Sequence, residues 1–183
     1  RDPEDPATQA SDGHIPQSYA AALGDRTFRG TRIGILTQLF GTAPEDGEVA
    51  AVVRRAITAF PGNGIEVVEA TVPGLDDLLQ GTSVINAEFK FQLMDFLQQY
   101  QRAPVHSLAE ILTSGRYDAA VEGVFKRAEA VESRDWAAYR ASLDKRKAVR
   151  EAVLFAMRQN GLTALAYPTL RRKAATIGQP QGG

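Results

Sequence analysis

Acyl transfer by covalent catalysis needs a nucleophile, a base within hydrogen-bond reach of it, and backbone donors for the developing oxyanion. The hydroxyls on offer are Ser11, Ser18, Ser83, Ser107, Ser114, Ser133 and Ser142. None sits in a glycine-rich turn or beside another serine, which is the local setting that activates such a hydroxyl. Ser107 and Ser133 read as helix caps and the others as loop or exposed helix positions, so no catalytic residue is assigned. His14 and His106 lie far apart and have no carboxylates at ligand spacing, so they read as surface residues and no metal site is expected. Cysteine is absent, which excludes disulfides, thiolate nucleophiles and cysteine-ligated metals.

Among the carboxylates, adjacent Asp76 and Asp77 diverge on any helix or turn and read as a solvated helix start. Glu88 stands out because Ala87 and Phe89 flank it on a strongly apolar segment, where a carboxylate needs a partner or a wet cleft. The plainer account, a remaining polar edge shared with Lys90 and Gln92, is preferred, and both accounts stay open. Of two basic clusters, Lys145 to Lys147 reads as a salt-bridged helix surface beside Asp144 and Glu151, and Arg171 to Lys173 lacks aromatic interleaving, so in a chain of net charge -1 nucleic acid is not an expected partner. The loop from Gln38 to Thr42 precedes a helix start but has neither the lysine nor the glycine spacing of a phosphate loop.

The elements that must position these groups follow from periodicity and punctuation. Residues 1–30, rich in Asp, Pro, Ser and Gly, read as an extended lead-in with a short helix near Tyr19 to Leu23. A compact Ile/Leu run from Arg32 to Thr37 predicts a buried strand. Thr42 with Glu45 three residues on, and Pro44 between them, predicts a helix from about Pro44 to Phe60, ended by Pro61 to Gly64. The β-branched run from Ile65 to Val72 predicts a second strand, so residues 31–73 form a βαβ unit with parallel strands.

Residues 74–161 switch to helical spacing. A short turn covers Asp76 to Leu79, and a longer helix from Thr82 to Tyr100 carries Ile85, Phe89, Leu93, Phe96, Leu97 and Tyr100 on one stripe, widened by Val84, Phe91 and Met94. That width predicts burial on more than one side. Ser107 with Glu110 opens another helix that Gly115 closes, an amphipathic stretch follows from Tyr117 to Glu132, and Ser133 or Asp135 caps a long helix. Trp136, Tyr139, Leu143, Val149, Val153, Ala156 and Met157 give that helix its inward face, and Asn160 with Gly161 ends it. Leu162 to Tyr167 returns to the sheet as a third strand before Pro168, and residues 170–183 read as a flexible tail.

At 183 residues, with 44% hydrophobic and 23% charged residues, the chain has the composition of one globular domain. No apolar run reaches the length of a membrane span, and a cytoplasmic setting agrees with the absence of cysteine.

Three fragments in order, Asp2 to Thr8, Gly30 to Leu36 and Leu165 to Thr169, resemble the amidase signature family of serine amidohydrolases. The resemblance covers nearly the whole chain and rests on order and spacing, since no fragment is specific alone. It implies a portion of the α/β amidase signature fold: a small parallel or mixed sheet with a βαβ unit and a large helical insertion. It also implies hydrolysis of a carboxamide through an acyl-enzyme, by a serine activated through a second serine and a lysine. None of those three residues can be placed in these 183 positions, so the chain is expected to be an interior segment, cut on both sides and inactive alone.

The resemblance places Asn86, Glu88 and Phe89 in a region that borders the acyl pocket, making them candidate substrate-binding residues. The implied partner is a small-molecule amide, with no cofactor and no membrane. A cut sheet exposes edges, which makes a homodimer a further expectation. The alternative from another class is a non-catalytic α/β module that binds a small molecule or protein in a groove along the Thr82 to Tyr100 helix. A glutamine amidotransferase component of the same family is the third reading, disfavoured by the charge of the helical insert.

Overall fold

The computed structural model describes residues 2, 3, 5–23, 28–179 and 181. Part of the lead-in (Arg1, Glu4 and residues 24–27) and part of the tail (Pro180, Gly182 and Gly183) lie outside them. The chain has an α/β fold whose centre is a parallel three-stranded sheet in the order β2-β1-β3, formed by β1 (Arg32–Leu36), β2 (Glu66–Ala70) and β3 (Ala164–Ala166). The register runs from Arg32 opposite Glu66 to Leu36 opposite Ala70, and Gly34 faces Leu165 on the other side. The βαβ expectation for residues 31–73 holds, with α1 (Gly47–Ile57) as its crossover.

β1 is central, and its last three residues are buried. Leu36 joins Val72, Leu75 and Ala156 in the core, with Leu39, Ala152, Val153 and Leu165 packed against them. These residues bring together the sheet, α2 (Leu75–Leu79) and α6 (Ala137–Gln159). Ile35 borders a depression it shares with Arg54 and Ile57, so strand alternation sets α1 and α6 on opposite faces. Gly34 is required by this closeness: a Cβ there would stand 2.6 Å from Leu162 and 2.8 Å from Ala70.

The other helices, α3 (Ile85–Gln98), α4 (Leu108–Ser114) and α5 (Glu122–Glu129), pack on one another around Leu108, Ala128 and Val131. Phe125 stacks on Phe89 and meets Tyr117 at the same 5.7 Å ring separation. α4 begins as its sequence indicates: the Ser107 hydroxyl accepts from Glu110 N at 3.1 Å, and Glu110 accepts from His106 N at 2.7 Å. Gly115 ends it with φ +64°.

Several local expectations are corrected. Neither Ser133 nor Asp135 caps α6, because Trp136 holds that position without a side-chain bond, and Ser133 accepts from Asp135 N to close a local turn instead. At the start of the α1 region the capping carboxylate is Asp46, which accepts from Ala43 N at 3.1 Å, and not Glu45. The α3 stripe is covered only in part, since Ile85, Phe96 and Tyr100 are more than half exposed. Trp136, read as inward, is exposed as well. The stretch taken as a flexible tail begins as an anchored segment: Arg172 pairs with Asp46 at 2.8 Å and Lys173 with Glu48 at 2.9 Å.

Candidate functional site

α3 and α6 face each other across a small pocket lined by Ala87, Glu88, Phe91, Gln92, Arg134 and Tyr139, with a volume of about 130 Å³. Helical spacing builds one wall, because Glu88 and Gln92 lie one turn apart on α3 and their side chains meet at 3.0 Å. From α6, the Tyr139 hydroxyl donates to the other Glu88 oxygen at 2.8 Å. That hydrogen bond to a carboxylate, helped by partial burial, holds the Tyr139 phenol above its ordinary range. Arg134 closes the rim, its guanidinium 5.2 Å from the centre of the Phe91 ring and paired with Asp95. The pair with Arg134 holds the Asp95 carboxyl below its usual value.

The pocket therefore presents a half-buried carboxylate fixed by two donors, a phenol and an aromatic wall. Glu88 can accept an N–H from a ligand through lone pairs that Tyr139 and Gln92 leave free. Of the three residues expected to border a substrate, only Glu88 lines this pocket. Phe89 turns to the opposite side of α3 and stacks on Phe125, and Asn86 is exposed away from the lining. Of the polar edge that the plainer account gave Glu88, Gln92 meets it, while Lys90 binds Glu129 at 2.9 Å and the Glu129 and Val131 carbonyls, closing the end of α5. Arg134 is the pocket residue the sequence did not single out, and Gln92 and Tyr139 were read as a polar edge and an inward helix face without being joined to a site. The i, i+4 spacing to Glu88 was a signal for Gln92, while Tyr139 lies 51 residues away.

The serines are dispersed. Ser107 caps α4, and Ser11, Ser114 and Ser142 donate to backbone carbonyls of their own turns. Both histidines are exposed. Among the described residues no group of His, Asp and Glu could hold a metal ion, and no helix is long and apolar enough to cross a membrane.

At the carboxyl end of the sheet two polar clasps fix the loops. Gln38, just past β1, donates to Val72 O at 3.0 Å and accepts from Val72 N at 2.7 Å, copying a backbone rung beyond the last β1 to β2 pair. Asp46, buried, accepts from Arg172 and from Ala43 N, and the Arg172 bond holds its carboxyl below the usual value.

No family model matches the chain. Over 113 residues it is 29% identical to the A subunit of glutamyl-tRNA(Gln) amidotransferase from Synechococcus sp. (strain CC9902), a match covering 60% of this chain and 23% of that protein. Its fold is that of the peptide amidase from Stenotrophomonas maltophilia, with a TM-score of 0.68 and 23% identity over 92% of this chain and 37% of the amidase. An amidase family protein from Bacillus anthracis str. Ames superposes with a TM-score of 0.61 and 18% identity over 90% of this chain and 33% of that protein. The resemblance to amidase signature enzymes read from the sequence holds in these findings, and the chain spans well under half the length of each of these proteins.

Proposed function

We propose that the chain is a segment of an amidase that supplies scaffold and part of the substrate pocket. The carboxamide is cleaved through a serine acyl-enzyme whose serine, second serine and lysine are not among these 183 residues. The observation that carries this reading is the shared fold, which follows a peptide amidase over 92% of the chain. The α3 and α6 pocket supports it, with Glu88 placed to accept an N–H of the amide and Tyr139 and Gln92 holding that carboxylate in position. Asn86 and Phe89 remain in the proposal as residues flanking Glu88 on α3. The substrate is a small-molecule amide, the setting is cytoplasmic, and a second copy pairs along an open edge of the sheet.

Without its nucleophile the chain alone does not turn over amides. Purified 183-residue protein assayed on aryl and aliphatic amides is expected to show no hydrolysis, and an extended coding sequence a Gly/Ser-rich stretch preceded by a lysine, upstream. Turnover by the isolated chain that a single Ser→Ala change abolishes would overturn the reading.

A further inference from the structure

We infer that the carboxyl end of the sheet carries a second ligand site, distinct from the α3 and α6 pocket, which takes a small zwitterion such as a free amino acid with an apolar side chain. Here the loops that follow all three strands converge. Gln38 and Leu39 follow β1, Asp76 and Leu79 lie on α2 after β2, and Tyr167, Pro168, Thr169 and Arg171 follow β3. They line a cleft of about 300 Å³, the lower end of the range for small-molecule sites, about 300–1,000 Å³. The strand order reverses at β1, with β2 and β3 on opposite sides, and crevices outside the carboxyl ends of parallel strands at such points are where open α/β sheets hold ligands.

The chemistry of the lining selects the occupant. Leu39, Leu79 and Pro168 give an apolar floor, while Asp76 and Arg171 bring opposite charges that form no ion pair among the described residues. An ammonium at Asp76, a carboxylate at Arg171 and an aliphatic side chain on the floor satisfy all three at once, and either charge alone leaves one side unmatched. The walls are set before any ligand arrives. Gln38 is held by both of its bonds to Val72, and the Arg172 to Asp46 pair fixes the chain beside Arg171. The Asp46 carboxylate and the Arg171 stem both crowd Gly41, where φ is +78° and a Cβ would meet Asp46 first and stand 2.9 Å from Arg171 Cδ.

The inference goes beyond the amidase reading and does not depend on it, because it concerns binding by the chain as it is. Titrating the 183-residue protein with L-leucine, L-leucinamide and N-acetyl-L-leucine, followed by ¹⁵N-¹H correlation spectra, tests it. Leucine is expected to shift the Leu39, Leu79 and Thr169 amides saturably. Arg171→Gln should weaken leucine about tenfold or more and spare leucinamide, the loss of one charge-assisted bond. Asp76→Asn should weaken leucine and leucinamide and spare N-acetyl-leucine. Both side chains are exposed, so both variants keep the wild-type spectrum. The inference is overturned if leucine gives no saturable shift, if its shifts gather instead at Glu88, Gln92 and Tyr139, or if both variants bind as the wild type does. Hydrolytic activity of a longer protein is irrelevant to each of these outcomes, so the failure of either reading is visible separately.

Discussion

Replacing Gln38 by alanine removes a side chain that acts as a strand rung. Val72 is fully buried; its N–H donates to the Gln38 amide oxygen at 2.7 Å, and its C=O accepts from the Gln38 amide at 3.0 Å and from Leu75 N at 3.2 Å. The variant loses two hydrogen bonds worth about 1 kcal/mol each and leaves the buried Val72 N–H short of a partner, since Leu75 N still serves the carbonyl, a further cost of about 1–3 kcal/mol. The expected loss is therefore about 2–4 kcal/mol, because water that enters to satisfy one Val72 group offsets part of the sum. For a chain of this size about 2–4 °C of melting temperature goes with each kcal/mol, which places the drop between about 4 and 16 °C. Urea unfolding with the slope held in common gives the free energy, and hydrogen exchange at the Val72 amide gives its local origin. Gln38→Glu keeps an acceptor for Val72 N but sets a carboxylate against Val72 O, so it should also destabilise the chain. A Gln38→Ala protein within about 0.5 kcal/mol of wild type, the scatter of ordinary surface changes, with Val72 protection intact, would refute the reasoning.

Two further outcomes follow from the same structure. Because Arg172 holds the folded-state pKa of Asp46 below its ordinary 3.8, the stabilisation is present above that value and is lost as pH falls through the lowered one. Asp46→Asn should accordingly be less stable at neutral pH and lose less between pH 4 and acid unfolding, with the remaining slope owed in part to Asp95; parallel denaturation curves against pH check this. Leu108→Ala, at a fully buried side chain between α3, α4 and α5, should cost about 2–5 kcal/mol in equilibrium unfolding and expose the helical layer to exchange before the sheet.

The sheet was legible because its signals are local. Short apolar runs bounded by Gly30, Gly64, Pro73 and Pro168 mark strands wherever they fall, and Ser107 with Gly115 marks both ends of α4 within one stretch of chain. What stayed hidden depends on closure of the chain. Periodicity identifies the apolar stripe of α3 but not whether anything covers it, so Ile85, Phe96 and Tyr100 could not be told from buried positions. Likewise Thr42 with Glu45 satisfies a capping pattern, yet Asp46 takes the role because Arg172, 126 residues on, stabilises its charge. The pocket shows the same division: Glu88 was conspicuous as a carboxylate in an apolar run, while Tyr139 meets it only where the first turn of α6 comes beside α3.

The two ends of the sheet differ in a way that bears on where ligands bind. At the amino end the strands are tied by exposed contacts, with Arg32 3.5 Å from Glu66 and Arg32 N donating to the Thr163 hydroxyl at 3.3 Å. At the carboxyl end the chain buries a carboxylate and commits a glutamine wholly to backbone, although apolar residues of similar size would close a core at lower desolvation cost. Polar groups so placed fix direction as well as contact. Asp46 sets where the chain after β3 runs, and Gln38 sets where the turn after β1 ends. Their common effect is to hold Arg171 and Leu39 in place on the same cleft, whereas in the α3 and α6 pocket Glu88 and Arg134 already have partners within the protein. Asp76 and Arg171 form no ion pair among the described residues, although the Arg171 charge also acts on Asp46. Their walls are held before a ligand arrives, which is the physical ground for placing a charged ligand at the sheet end.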